Sequence, residues 1–226
     1  WKYSWENKNT STWAETLEGK NAWTDARLMK LLNPGYESET TGGSLYYNSK
    51  SGNCYAGRDN DTTACAFTST GIKNDTTRNL ISETIYTLGG NDEHSTYPNQ
   101  VYERERGTSV YSGRPTTWTG KVAVAYSSDY GYAGDLSKCN QTLDNYDNST
   151  CSSNNWMKTI IAPNDGWLLT TSSGAPYSAW YVSSDGYVYP STTYDSGGIA
   201  PVLYLNSELS IKSGSGSSSS PYQLSV

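Results

Sequence analysis

The sequence predicts a mixed α+β fold: one disulfide-stapled domain over residues 1–226, with two helices in its first half and antiparallel strands in its second. Three observations predict it. Two stretches, around 24–33 and 75–88, repeat apolar residues at helical spacing. From Trp167 onward the pattern changes to short β-branched and aromatic runs broken by turn residues. Four cysteines fall in two close pairs. Helices first and strands afterwards favour α+β over a parallel α/β sheet.

Residues 1–23 carry Trp1, Trp5, Trp13 and Trp23 among polar neighbours and read as a short strand and a turn. Thr24 is placed to cap a first helix, Asp25 suits its first turn, and Leu28, Leu31 and Leu32 form its apolar face. Asn33-Pro34-Gly35 ends it. Residues 36–74 read as an irregular excursion pinned by Cys54 and Cys65. A second helix is expected from Asp75 or Thr76, with Leu80, Ile81, Thr84, Ile85 and Leu88 on one face and Gly89-Gly90 as its stop. Residues 91–117 read as loop. Strands are expected at 120–126, 167–171, 179–183, 187–189 and 199–205, the last fully buried. Ser184-Asp185-Gly186 is a hairpin signal between two of them. Residues 214–220 resemble a flexible linker, and 221–224 can form a last edge strand.

Composition narrows the function. Only 35% of the chain is hydrophobic, and the aromatics are 20 Tyr and 8 Trp with a single Phe. Such rings carry a polar handle and suit half-buried positions and binding faces. The net charge is -6, and no cluster of Lys and Arg exists to meet a phosphate backbone, so nucleic acid is excluded as a partner. The same sign argues against adsorption to an anionic membrane. No run approaches the roughly 20 apolar residues that span a bilayer. The sequence opens at Trp1 rather than Met, and an export or anchor segment is expected upstream, giving the only membrane link.

Cys54 and Cys65 bracket one short polar segment, and Cys139 and Cys151 another. Four cysteines allow three connectivities. Sequential pairing is favoured by the similar loop lengths, each bridge contributing roughly 2–3 kcal/mol. The spacing does not suit zinc, and no metal or cofactor is expected. Disulfides imply an oxidising, extracellular setting. His94 is the only histidine and sits in a polar loop, so catalytic triads have little to build on. Asp59-Asn60-Asp61 and Asp144-Asn145 with Asp147 offer oxygen ligands for calcium, but Asx turns explain them as well. Asp129, Asp135, Asp165 and Asp185 are nominal carboxylates for glycoside hydrolysis, a weak signal in a chain with 22 acids.

Between Thr159 and Ser207 there is no Lys, Arg, Glu, Gln, His, Met, Phe or Cys. Tyr, Ser, Thr, Gly and Asp dominate, as they do in antibody combining sites. A ligand-binding face is therefore expected from Tyr177, Trp180, Tyr181, Asp185, Tyr187, Tyr189, Tyr194 and Asp195, within a strand-rich half at 118–226. The competing reading is a set of ordinary strands with rings packed flat on the sheet.

Several segments occur in a familiar order: Trp-Thr-Asp-Ala-Arg-Leu-Met-Lys-Leu-Leu-Asn at 23–33, Glu105-Arg106, Ser-Asp-Tyr-Gly-Tyr-Ala at 128–133, Cys-Ser-Ser-Asn-Asn-Trp at 151–156, Pro-Val-Leu-Tyr-Leu at 201–205, and Ser-Gly-x-Gly-x-x-x-x-Pro-Tyr-x-Leu at 213–224. Together they resemble a family of bacterial surface proteins often preceded by a prepilin-type segment. The C-terminal half also resembles the C-type-lectin-like and formylglycine-generating-enzyme-like folds. Ala200 departs from that pattern, where Arg would precede Pro-Val-Leu-Tyr-Leu. The resemblance implies an exported domain, displayed on a type IV pilus-like filament or the cell wall, and the aromatic face makes it a non-enzymatic adhesion or ligand-binding head for a glycan or a host or bacterial surface protein. A filament subunit contacting other pilin subunits is the alternative, and a carboxylate-dependent hydrolase is the third reading.

Overall fold

The computed structural model describes residues 2–5, 20–34, 52–55, 62–65, 72, 74–163, 165–217 and 219–225. Its centre is a five-stranded sheet in the order β1-β10-β7-β8-β9, built from β1 (Lys2–Ser4), β7 (Gly166–Thr171), β8 (Ser178–Val182), β9 (Val188–Thr192) and β10 (Ser196–Gly198). β10 runs parallel to β7, and the other pairs are antiparallel. Every residue of β7 and β8 is buried. Side chains alternate across a strand, so each strand feeds two cores. Trp167, Leu169, Ala179 and Tyr181 pack on one side with Trp5, Trp23, Leu28 and Met29. Leu168, Trp180, Val182 and Val188 pack on the other with Tyr130, Leu143 and Tyr146.

The expected hairpin joins β8 to β9. Gly186 takes φ +109, open to glycine but strained for other residues, and Ser183 N–H donates to Tyr187 O at 2.9 Å. β9 is an edge strand of the five-stranded sheet, and Pro190 in it withholds one backbone donor, a common guard on exposed edges.

Six α-helices occur among the described residues, not two. The first is α1 (Arg27–Leu32); it follows a 3-10 turn at Trp23–Asp25, so Ala26 rather than Thr24 precedes it. Its Leu28, Leu31 and Leu32 are buried as expected. The second, α2 (Asp75–Asn79), is capped by Asn74, whose side chain accepts from Thr77 N–H at 2.8 Å. It stops early. Residues 84–87 form β4 (Thr84–Thr87), paired with β5 (Thr117–Gly120). Thr84, Ile85, Tyr86 and Thr87 are β-branched or aromatic, and a partner strand lets that propensity override a weak helical period.

The loop expected at 91–117 contains α3 (Pro98–Glu105), with Pro98 in its first turn, where a missing N–H costs nothing. The remaining helices are α4 (Ser127–Tyr132), α5 (Ser149–Ser153) and α6 (Lys158–Ile161). The strand expected at 120–126 shortens to β6 (Val122–Val124), which pairs with β11 (Pro201–Leu203). The 199–205 segment is not buried: Leu203, Tyr204 and Leu205 are 36–49% exposed, because nothing described covers the outer side of β11. The linker expected at 214–220 instead turns β12 (Ser210–Ser213) back onto β13 (Gln223–Ser225).

Cys139 and Cys151 form a disulfide with Cα atoms 4.8 Å apart. Leu143 and Tyr146 within its loop are fully buried. Cys54 and Cys65 lie on the paired strands β2 (Gly52–Tyr55) and β3 (Thr62–Cys65), Cys54 opposite Thr63 and Cys65 opposite Gly52; their side chains lie outside the described residues. Replacing Cys139 and Cys151 together by Ser is expected to cost about 3 kcal/mol, the loop-closure value for this separation. Urea unfolding with the first cysteine pair intact checks it; an unchanged midpoint contradicts the bracing role.

Candidate functional site

Two of the eight expected face residues are interior. Trp180 is fully buried in the second core, and its indole N–H donates to Asn91 O at 2.8 Å. Tyr181 is 5% exposed on the opposite side of β8; its ring meets Trp167 at 4.8 Å, and its hydroxyl donates to Ser196 O at 3.2 Å. β8 lies between β7 and β9 with both faces covered, so neither ring reaches the surface from it. A Cβ at Gly197 would sit 2.6 Å from the Tyr181 ring, so only glycine lets β10 close over it.

The aromatic row continues outward. Tyr189 lies 5.6 Å from Tyr181, and Tyr187 lies 5.3 Å from Tyr189, both half-buried. Burial, then the carboxylates of Asp165, Asp195 and Asp185, push the Tyr189 phenol up. Asp195 Oδ2 accepts the Ser191 and Thr192 hydroxyls, each at 2.8 Å. Asp185 is exposed; the Ser183 hydroxyl holds its carboxyl below the usual carboxylate range. Tyr177 and Tyr194 are half-buried at the other end of the β8–β9 pair, where Thr193 N–H donates to Tyr177 O. The structure thus brings Tyr187, Tyr189, Asp185 and Asp195 near one another and removes Trp180 and Tyr181 from the face.

A second aromatic surface lies on the helical side. Asp129, Tyr132, Ala133, Trp156, Met157 and Val202 line an open groove of about 390 Å³. Trp156 is 64% exposed and Tyr132 46%. Tyr102, 45% exposed, meets Tyr132 edge-on at 6.3 Å. Two such rings side by side in an open groove make this corner a candidate interaction site.

Local chemistry sets these side chains. Asp129 Oδ2 accepts the Tyr126 N–H at 3.0 Å, capping the start of α4. Asn155 Nδ2 donates to Tyr130 O at 2.8 Å, and Trp156 N–H to Ala133 O at 3.4 Å. The Cys139–Cys151 loop therefore returns the chain onto α4 and sets Trp156 in the groove with Tyr132. The Arg106 guanidinium stacks 3.6 Å above Tyr102 and 4.9 Å from Tyr126. Burial raises the Asp129 carboxyl, with the Tyr126 N–H and Arg106 opposing.

Glu105 lies behind the groove, fully buried. Oε1 accepts from Ser128 N–H at 3.1 Å and Thr170 Oγ1 at 2.5 Å, while Oε2 accepts the Ser128 hydroxyl and Arg106 Nη1, the latter at 3.2 Å. Burial outweighs these donors and pushes its carboxyl up to about 7.

Four of the ordered segments, 105–106, 128–133, 151–156 and 201–205, thus meet at one corner. Trp156 and Tyr132 lie outside the tyrosine-rich stretch between Thr159 and Ser207 from which the sequence predicts a face. The available signal was a lone Trp closing the polar run Ser-Ser-Asn-Asn.

Among the described residues no group of three His, Cys, Asp or Glu side chains is placed to hold a metal ion. Asp144 is engaged by the Thr142 and Ser95 hydroxyls, while Asp59, Asn60 and Asp61 lie outside the described residues. His94 is exposed, its ring 5.8 Å from Trp180. No described helix is long and apolar enough to cross a membrane. No protein-family model, curated protein or solved structure matches the chain.

Glu105 gives a pH signature. Its proton is held more tightly folded than unfolded, so its contribution to stability is greatest below about 4.5 and is lost as pH rises through about 7. The loss is about 3 kcal/mol for this group. Glu105→Gln cannot ionise and is expected to lack that slope. Urea midpoints of both proteins at pH 5 and pH 8 check it; parallel pH profiles contradict the assignment.

Proposed function

We propose that this chain is a ligand-binding or adhesion head displayed outside the cell, and that it recognises its partner through the Asp129–Trp156 groove. The observation carrying this reading is the exposure of Trp156 and Tyr132 on a corner braced by a disulfide and a buried carboxylate. Preorganised aromatic anchors are what binding hot spots use. The disulfide supports an oxidising compartment. The family resemblance, with its prepilin-type segment upstream, and the C-type-lectin-like arrangement of the C-terminal half belong to the same proposal. Binding is favoured over hydrolysis because the groove is lined by one carboxylate, Asp129, whereas glycosidases generally use a pair.

A labelled sample of the chain, applied to arrayed glycans and to host and bacterial surface proteins, tests the reading. Trp156→Ala and Tyr132→Ala are expected to abolish retention without changing thermal stability, since both rings are solvent-exposed. Tyr187→Ala is expected to leave retention intact. Loss on Tyr187→Ala alone would transfer the site to the β9 face.

One observation favours a second reading, a subunit of a larger assembly. β12 and β13 pair only with each other among the described strands, and they leave the cross-strand pair Ile211 and Leu224 60% and 39% exposed. A two-stranded hairpin is marginal alone in water. On this reading the chain self-associates with rising concentration and Ile211→Ser prevents it; sedimentation showing one monomeric mass for both proteins rejects it.

A further inference from the structure

Building on the groove as a recognition site, we infer that its ligand is an uncharged saccharide, stacked on Trp156 and Tyr132 and hydrogen-bonded to Asp129. Size comes first. A volume of about 390 Å³ falls among small-ligand clefts, roughly 300–1,000 Å³. A protein epitope instead needs about 800 Å² of surface from each partner.

Shape and polarity come next. Tyr132 and Trp156 come from different segments and are set in one groove by the Ala133–Trp156 backbone bond. The C–H faces of a pyranose are the apolar surfaces that suit such rings, because the remainder of the sugar must keep its hydroxyls hydrogen-bonded. Hydroxyl groups both donate and accept. Asp129 offers acceptance beside the rings: Oδ2 takes the Tyr126 N–H, leaving Oδ1 for a ligand hydroxyl. Arg106, held against Tyr102 and Glu105, adds donors at the border.

Charge decides between ligand classes. An anionic sugar meets the Asp129 carboxylate in the groove lining, on a chain of net charge -6. A cationic peptide meets Arg106, whose field already reaches Asp129. A ligand rich in hydroxyls and without charge satisfies both poles and opposes neither.

The test uses the full chain and three probe sets: neutral gluco-, galacto- and manno-oligosaccharides, their sialylated or sulfated counterparts, and basic peptides. Calorimetry or glycan-array titration is expected to show binding to a neutral oligosaccharide. Trp156→Ala should weaken it roughly tenfold or more, about what loss of one stacked anchor removes. Trp156→Phe should restore part of it, and Asp129→Asn should weaken it with unchanged thermal stability. Binding confined to charged glycans or peptides, yet lost in Trp156→Ala, overturns the saccharide inference and leaves the groove as a site. No binding by any probe at millimolar concentration overturns the saccharide inference, and binding indifferent to Trp156→Ala and Tyr132→Ala overturns the groove as well.

Discussion

One buried carboxyl ties the helix that carries the candidate site to the central sheet and to the helix before it. Glu105 ends α3, binds the backbone and hydroxyl of Ser128 at the start of α4, and takes the hydroxyl of Thr170 on the central strand β7. Its own carbonyl accepts Gly89 N–H at 3.1 Å. Burying a carboxyl is costly unless every oxygen finds donors, and here the donors come from α4, from β7 and from Arg106 next in the chain. Removing the carboxylate leaves Ser128 and Thr170 as buried donors without an acceptor, so the cost falls on the α4 segment that carries Asp129 and Tyr132. The pairing of Arg106 with Glu105 extends the same network to the Tyr102 ring at the surface.

The two-sided burial of β7 and β8 explains how a Tyr- and Trp-rich chain places its large rings in two cores. One strand supplies Trp167 to the first core and Leu168 to the second; its neighbour supplies Tyr181 and Trp180 in the same way. The polar atoms of these rings are satisfied locally, Trp180 by Asn91 O and Tyr181 by Ser196 O. The palette of a combining site and the palette of an aromatic core therefore overlap, and the difference is made by strand position alone.

That overlap sets how far the sequence could be read. The α+β class, the first helix at its leucines, the 183–187 hairpin and the Cys139–Cys151 pairing were legible, because each rests on a local pattern. The second helix was legible at its start but not in its length, since Thr84–Thr87 gains a partner strand that lies some thirty residues further on. Tyr187 and Tyr189 were legible as surface-reaching rings, but Trp180 and Tyr181 were not separable from them, because strand order in a sheet is a long-range property. Trp156 was hidden for the opposite reason. Its neighbours are polar and its role emerges only when the disulfide loop returns it to α4.

Cys139 and Cys151 are each 1% exposed, covered by packed side chains of the second core. Exchange requires an attacking thiolate to reach one of the bridged sulfurs, and this shell admits none while the chain is folded. The surrounding redox poise therefore matters once, at oxidation during folding. Afterwards the folded chain shields the crosslink from external thiols, and the Cys139–Cys151 loop keeps its closure.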